Sequence, residues 1–205
     1  MSFYGAVRSL VGALIPLVAD LRVEGRGRVP EQGPFLLVAN HRSILDPVLA
    51  QVACPRPVHT MTKSTQFGRA PFGWLLPRLR TFPVRRYRVD PQAVRTALRL
   101  LEQGRGVGVY PEGERSWDGR AQPFRRGTVR LILKAGVPVV PCGISGSYEV
   151  WPRWSHRPVK GPVSVRFGEP LHLGRHDDRR EREAAFEDAR TRLRSALTQL
   201  VEEWE

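Results

Sequence analysis

The sequence has little cysteine and no long apolar run, and these shortages exclude several classes of protein. Its two cysteines, Cys54 and Cys142, form neither a CxxC pair nor a zinc-ligand spacing. We therefore expect a reducing compartment, with no disulfide scaffold and no zinc site. The apolar stretch at residues 9–19 would measure about 16 Å as a helix, roughly half of a bilayer's hydrocarbon core, so we expect no transmembrane span. Only one basic residue, Arg8, precedes this stretch and no clear cleavage site follows it, so we expect no cleavable signal peptide.

Acidic residues are scarce relative to basic ones. Lys and Arg number 33 and Asp and Glu number 20, which gives a net charge of +13. The excess lies entirely in residues 1–174, which hold 26 basic and 11 acidic residues. Such a surface suits an anionic partner, namely nucleic acid, an anionic membrane or a phosphorylated substrate. The sequence contains neither an RNP1-like stretch nor a zinc-finger spacing, so no nucleic-acid motif supports the first of these.

Short apolar runs that alternate with helical patterns organise the chain. At 205 residues with 41% hydrophobic content, it suits one globular domain. The alternation predicts an α/β fold with a mixed, largely parallel central sheet flanked by helices. We expect an amphipathic N-terminal helix in residues 1–20, an α/β domain in residues 21–174, and a C-terminal helix packed on that domain in residues 175–205. The apolar side of that last helix carries Phe186, Ala189, Leu193, Leu197, Leu200 and Trp204.

Two segments combine residues that suit a membrane surface. In residues 3–18, apolar side chains recur at helical spacing. This helix either packs on the domain or lies in a membrane interface, and the sequence leaves both open. In residues 63–88, aromatics and leucines are interleaved with arginines, which suits contact with lipid phosphates. The alternative for the second segment is a core-facing helix whose arginines are solvated.

One histidine and one carboxylate stand where the apolar run at residues 35–39 ends. This run predicts a strand buried on both faces, so His41 would lie in a strand-to-helix loop. Asp46 and Pro47 indicate a helix start, with Asp46 as N-cap and Pro47 at the first helical position. Capping would then fix the carboxylate beside His41. The alternative is that Asp46 is only a cap and His41 only a loop histidine.

A second polar loop, residues 111–116, follows the predicted strand at residues 106–110. Because ligands of open α/β sheets bind at the carboxyl ends of parallel strands, we expect the two loops to form one site. Two other chemistries find no support. Residues 143–147 do not complete the GxSxG of a hydrolase, and the glycines at residues 104–108 precede a strand, whereas a dinucleotide fingerprint follows one.

Four motifs together resemble those of a known enzyme family. Residues 40–46, with Asn40-His41 and Asp46, and residues 111–116, with Pro111-Glu112-Gly113-Glu114-Arg115-Ser116, resemble the glycerolipid acyltransferases, specifically the 1-acyl-sn-glycerol-3-phosphate acyltransferase (PlsC-like) family. Residues 82–86 look like the family's second motif and residues 137–141 like its fourth, in the expected order. Glu114 departs from the pattern, because the family often has Thr there. Arg85 also departs from it, because an acid commonly precedes the second motif's Arg.

The resemblance implies transfer of a fatty acyl group from acyl-CoA or acyl carrier protein to the free hydroxyl of lysophosphatidic acid, which gives phosphatidic acid. It implies no resident cofactor, since the donor is a substrate. His41 would act as general base, and Asp46 would orient and stabilise its imidazole. The residues that we expect to bind the substrate are Lys63, Arg86, Glu112, Gly113 and Arg115.

A lysophospholipid acceptor lies in a bilayer, so we expect a peripheral protein at the cytoplasmic face of the cell membrane, bound to an anionic surface. Three alternatives use another acceptor: glycerol-3-phosphate, a lysophospholipid with a larger head group, or an ornithine-type lipid. An alternative of another class is a nonenzymatic protein that binds anionic membranes or nucleic acid. That last alternative predicts binding that does not depend on Asp46.

Overall fold

The computed structural model, which describes residues 2–85 and 90–201, is built around a sheet of seven strands. The strands are β1 (Ala19–Glu24), β2 (Phe35–Ala39), β3 (Val58–Lys63), β4 (Thr81–Val84), β5 (Gly106–Val109), β6 (Val139–Ser145) and β7 (Gly161–Phe167). The helices are α1 (Phe3–Leu14), α2 (Asp46–Ala53), α3 (Phe72–Arg78), α4 (Pro91–Glu102), α5 (Arg126–Ala135), α6 (Ser147–Val150), α7 (Arg179–Ala184) and α8 (Phe186–Thr198).

The sheet has the order β1-β7-β6-β2-β5-β3-β4. Its pairs are parallel except that of β6 with β7, which is antiparallel. Strands β2, β5 and β6 are buried along their whole length, as expected for a parallel sheet whose two faces are both covered by helices. The predicted fold, a single α/β domain with a mixed, largely parallel sheet, is therefore confirmed.

Strand β2 contributes to two hydrophobic cores because successive side chains of a strand point to opposite faces. Leu36 and Val38 pack on the face that α4, α5 and α8 cover. Phe35 and Leu37 pack on the other face, against α2. The predicted apolar side of the C-terminal segment lies in the first of these cores, with Leu193 and the neighbouring apolar residues of α8 buried. Trp204 lies outside the described residues.

The parallel arrangement brings the two motif loops to one edge of the sheet. Val38 of β2 is in register with Val109 of β5, so the loops that follow these strands begin side by side. Asn40 ties the first loop to β6, because its Nδ2 donates to the carbonyl of Ile144 and its Oδ1 accepts from the N–H of that residue, both at 2.8 Å. The site is thus positioned at the carboxyl edge of the central strands.

The N-terminal segment both packs on the domain and leaves an apolar face exposed. Arg8 of α1 donates to the carbonyls of Val52 and Cys54 at the end of α2. On the other side of the segment, Leu10 and Leu17 are 60% and 71% exposed. No helix in the part of the chain that the structure describes is long and apolar enough to cross a membrane.

Strand β1 was not predicted, because residues 21–34 have the composition of a turn-rich stretch. In the structure, β1 is an edge strand that pairs with β7 in parallel. Its alternation of buried and exposed positions is short, and the outward positions carry charges such as those of Asp20 and Glu24. Only pairing with β7, about 140 residues further along the chain, makes this segment a strand.

Candidate active site

His41 and Asp46 form a buried hydrogen-bonded pair at the end of β2. The Nδ1 atom of His41 lies 2.9 Å from Oδ2 of Asp46, whose side chain is fully buried. An ionised carboxylate can only accept hydrogen bonds, so Nδ1 carries the proton and Nε2 keeps its lone pair. The pair therefore presents a nitrogen that can take a proton from a substrate.

The carboxylate of Asp46 is held by the loop before it, and the predicted N-cap role is wrong. Asp46 is the first residue of α2, and Leu45 occupies the N-cap position without a side-chain cap. The Oδ2 atom of Asp46 instead accepts from the backbone N–H groups of Arg42 and Ser43, at 2.6 and 2.7 Å. These bonds run backward from the helix into the loop, because the loop curls around the carboxylate. Asp46 is thus fixed beside His41 by a different set of donors from that expected.

The hydroxyl of Ser43 is committed to the backbone. Its Oγ donates to the carbonyl of Trp151 at 2.7 Å and accepts from the N–H of Leu45 at 3.2 Å. The hydroxyl hydrogen is therefore not directed at His41, which a serine nucleophile would require. Ser43 anchors the loop to the segment that follows α6.

The second loop holds the backbone of His41 on both sides. The Oε2 atom of Glu112 accepts from the N–H of His41 at 2.8 Å, and the carbonyl of His41 accepts from the N–H of Ser116 at 2.9 Å. Glu112 is 2% exposed, and burial raises the pKa of its carboxyl to about 8. The ring of Tyr110 lies 4.4 Å from the imidazole, measured between centroids. Position and orientation of His41 thus depend on both loops together.

Position 113 has no room for a side chain. Its φ of +78° lies in the left-handed region, and a Cβ added there would lie 2.9 Å from Cγ of Arg125. The N–H of Gly113 donates to the carbonyl of Tyr110 at 3.0 Å, which closes the turn at the end of β5. The structure therefore gives a packing reason for this glycine. A role in approaching the substrate stays a prediction.

Two of the predicted cationic residues, Arg115 and Lys63, follow strands that end at the same edge of the sheet. Arg115 is partly buried in the second loop, three residues after the Glu112 that bonds to His41. Lys63 is exposed at the end of β3, the strand beyond β5 when counted from β2. Arg86 lies outside the described residues. The structure thus brings His41, Asp46, Glu112 and the Arg115 loop into one site, with Lys63 at its side.

Comparison with known proteins identifies the family of the chain that carries this site. The family model described as Acyltransferase matches residues 20–145, a range that contains both loops. The chain belongs to the acyltransferase family. Four residues separate its His41 from Asp46, which is the HxxxxD spacing of the first of the four motifs that resemble this family.

Named relatives of this acyltransferase act on glycerolipids. A 1-acyl-sn-glycerol-3-phosphate acyltransferase of Bacillus subtilis is 28% identical over 182 residues, which are 86% of this chain and 87% of that protein. The human alpha enzyme of the same name is 31% identical over 77% of this chain, which spans 57% of the human protein. The crystal structure of the 1-acyl-sn-glycerophosphate (LPA) acyltransferase PlsC from Thermotoga maritima matches with a TM-score of 0.75 and 25% identity, covering 94% of this chain and 78% of the other. The predicted PlsC-like glycerolipid acyltransferase family is confirmed, and the chain is an O-acyltransferase.

Sequence reasoning missed several residues of the acyltransferase site. Tyr110 was assigned only as the last residue of a strand, although a strand end beside a motif loop was itself a signal. Arg42 is 5% exposed, with Nη2 3.5 Å from Oε1 of Glu149, and its place inside the first motif pointed to the site. Arg125, just before α5, and Arg153, in the segment after α6, also contact the second loop, and no local pattern marks them.

We expect Glu112→Gln to change the pH dependence of stability. Because the folded-state pKa of Glu112 is about 8, above its ordinary value of 4.5, its contribution to the free energy of unfolding is full below pH 4.5 and declines as pH rises towards 8. A tenfold difference in proton affinity between the folded and unfolded states corresponds to about 1.4 kcal/mol. Glutamine keeps an oxygen for the His41 N–H but cannot ionise. Urea unfolding at pH 5, 6.5 and 8 should therefore show a smaller decline for the variant.

The matched control for Glu112 is Glu31→Gln, because Glu31 is an exposed carboxylate. This control should keep the decline of the unaltered protein. An equal decline in Glu112→Gln would show that this carboxyl does not cause the pH dependence.

Proposed function

We propose that this acyltransferase moves a fatty acyl group from acyl-CoA or acyl carrier protein to the free hydroxyl of lysophosphatidic acid, which gives phosphatidic acid. The observation that supports it best is the buried His41–Asp46 pair, held against a loop that carries Arg115. The names of the Bacillus, human and Thermotoga relatives agree with this acceptor. No resident cofactor is part of the proposal.

The geometry suits general-base catalysis. An alcohol is a weak nucleophile, so Nε2 of His41 removes the hydroxyl proton as the oxygen attacks the thioester carbonyl. A carbon–oxygen bond forms, the carbon–sulfur bond breaks, and the imidazolium returns the proton to the departing thiolate. Asp46 keeps the proton on Nδ1 and stabilises the positive charge while it exists.

We propose direct transfer without an acyl-enzyme. A covalent route needs an activated nucleophile beside the base. The nearest hydroxyl in sequence, that of Ser43, donates to the carbonyl of Trp151 instead. The acceptor hydroxyl is then the group that His41 activates.

The acceptor's phosphate needs cationic donors. An arginine guanidinium can form two charge-assisted bonds with one phosphate, which makes Arg115 the first choice within the described site. Arg86 and Lys63 are the further cations that we assign to this role. Glu112 holds the His41 loop through its Oε2, and its protonated form keeps that oxygen as acceptor.

The test of the proposal is a matrix of acceptors and donors. Purified protein receives palmitoyl-CoA or palmitoyl-acyl carrier protein with lysophosphatidic acid, glycerol-3-phosphate, lysophosphatidylcholine or a lyso-ornithine lipid. We expect the highest kcat/KM for lysophosphatidic acid, because it alone of these acceptors has both a phosphate monoester, which can meet the cations described above, and an acyl chain, which glycerol-3-phosphate lacks. Faster turnover of another acceptor would overturn the choice of substrate.

We further propose that the protein binds, as a peripheral protein, to the anionic cytoplasmic face of the cell membrane. Helices α1 and α3 share an exposed surface, here called the α1–α3 apolar surface. Its residues are Phe3, Leu10 and Leu14 of α1, Leu17 just after α1, and Trp74 of α3, which are 45 to 71% exposed. The rings of Phe3 and Trp74 meet edge to face at 5.8 Å, and the guanidinium of Arg78 lies 4.2 Å from the Trp74 ring centroid. Apolar side chains next to arginines suit the headgroup region of an anionic bilayer.

We expect the double variant Leu10→Ser/Leu14→Ser to weaken vesicle binding by about a hundredfold or more, since each leucine removed from the lipid interface costs roughly 1.5–3 kcal/mol and every 1.4 kcal/mol is a factor of about ten. Cosedimentation with vesicles of phosphatidylglycerol and phosphatidylcholine measures this. Val159→Ser is the control, because Val159 is 70% exposed and lies outside the α1–α3 apolar surface. Equal binding of the double variant and the unaltered protein would contradict the role of that surface.

A further inference from the structure

The loop that carries Arg115 is gripped from one side by Arg125. The Nε atom of Arg125 donates to the carbonyl of Glu112 at 3.2 Å, and its Nη2 lies 2.9 Å from Oε1 of Glu114. The backbone N–H of Arg125 also donates to the carbonyl of Pro111 at 2.7 Å. Arg125 stands just before α5, so the start of that helix fixes the first half of the loop.

Arg153 grips the same loop from the other side. Its Nη1 donates to the carbonyl of Arg115 at 3.0 Å and lies 3.4 Å from Oε2 of Glu114. Its guanidinium carbon lies 3.9 Å from the centroid of the Trp117 ring. One planar guanidinium group thus contacts two positions of the loop and the ring of the residue that follows it, a combination that suits arginine better than lysine.

Glu114 joins the two arginines. Its Oε1 pairs with Arg125 and its Oε2 with Arg153. The side chains of Glu114 and Arg153 are only 24% and 23% exposed, so solvent screens their attraction less than that of a surface pair. A threonine, which the family often has at this position, offers no carboxylate to join two guanidinium groups.

The segment that carries Arg153 is itself tied to the first loop. The carbonyl of Trp151 accepts from the hydroxyl of Ser43 at 2.7 Å. The hydroxyl of Tyr148 donates to the carbonyl of Trp117, the residue directly after the second loop, at 2.8 Å. Arg153 therefore acts from a segment whose position is fixed relative to both loops of the site.

We propose that Arg153 is a positioning residue for Arg115. Arg153 fixes the backbone of Arg115 so that the side chain of Arg115 meets the acceptor's phosphate. Glu114 links Arg153 to Arg125. Arg153 lies outside the residues that the family model matches. The proposal rests on the proposed function, since it assumes that Arg115 binds a phosphate.

The test is the kinetics of Arg153→Gln with lysophosphatidic acid and palmitoyl-CoA. We expect the KM for lysophosphatidic acid to rise about tenfold, the effect of losing one charge-assisted contact. The kcat value should stay within about twofold, and the KM for palmitoyl-CoA should not change. Arg153→Lys should restore part of the loss, because lysine keeps the positive charge and a hydrogen-bond donor group but not the planar contacts.

Glu114→Gln and the double variant Glu114→Gln/Arg153→Gln complete a cycle. If Glu114 and Arg153 hold the loop together, here called the Glu114–Arg153 clamp, the double variant should raise the KM for lysophosphatidic acid by less than the product of the two single effects. Arg157→Gln is the matched control, because Arg157 is an exposed arginine of the same segment. It should leave both KM values unchanged.

Two results would overturn the clamp alone while the unaltered protein turns over lysophosphatidic acid normally. The first is an unchanged KM for lysophosphatidic acid in Arg153→Gln. The second is an equal loss with both substrates together with a lower Tm, which would mean that Arg153 only stabilises the fold. No turnover of lysophosphatidic acid by the unaltered protein would overturn the proposed function and, with it, the assigned role of Arg153.

Discussion

Replacing His41 with alanine is expected to lower the rate of phosphatidic acid formation by about a thousandfold, within the range for loss of a general base. The variant removes the nitrogen that takes the hydroxyl proton in the proposed mechanism. It leaves the backbone bonds of residue 41 with Glu112 and Ser116 in place, because these use only the N–H and the carbonyl. The fold should therefore be retained, which circular dichroism and a thermal melt would check.

His156→Ala is the matched control for His41→Ala. His156 is exposed in the segment after α6, so its loss should leave turnover unchanged. A His41→Ala variant that is folded and turns over at the rate of the unaltered protein would remove His41 from the mechanism.

Asp46→Asn is expected to lower kcat by about a hundredfold or more while it keeps most of the loop geometry. The amide oxygen can occupy the position of Oδ2 and accept from His41 Nδ1 and from the N–H groups of Arg42 and Ser43. What is lost is the negative charge that, in the proposed mechanism, stabilises the imidazolium. Single-turnover rates with lysophosphatidic acid would measure this loss.

Asp46→Ala should have a larger effect on stability than Asp46→Asn. It leaves three buried donors without their acceptor, at a cost of about 1–3 kcal/mol each. Asp188→Asn, a change of an exposed carboxylate on α8, is the control. If Asp46→Asn retained full kcat, the charge on Asp46 would have no part in catalysis.

The fold class could be predicted because the central strands are uniformly apolar. Residues 35–39 form a strand buried on both faces, and such runs alternating with helical patterns occur mainly in parallel α/β sheets. The same logic placed the two motif loops together, since the carboxyl ends of neighbouring parallel strands share an edge. Both inferences depend on local patterns of apolar and polar residues, and such patterns can be read from a single sequence.

Interactions between distant segments could not be predicted. The sequence of β1 acquires its structure from pairing with β7, and the order of the strands follows no local rule. Asp46 carries the pattern of a helix cap, but its carboxylate bonds backward to Arg42 and Ser43 instead of capping α2. Whether an Asp before a Pro caps the helix or holds the preceding loop depends on the path of that loop.

The contacts of Arg153 show the same limit in the site. Its partner Glu114 lies 39 residues away in the chain, so no local sequence pattern connects the two residues. Glu114 was recognised as a departure from the family pattern without a reason for it. In the structure its carboxylate joins Arg125 and Arg153.

The most direct measurement is the formation of phosphatidic acid from lysophosphatidic acid and palmitoyl-CoA, followed by mass spectrometry together with CoA release. The unaltered protein should form one phosphatidic acid for each CoA released, and folded His41→Ala should form about a thousandfold less. Absence of phosphatidic acid with the unaltered protein, or equal amounts from both proteins, would contradict His41-catalysed acylation of lysophosphatidic acid.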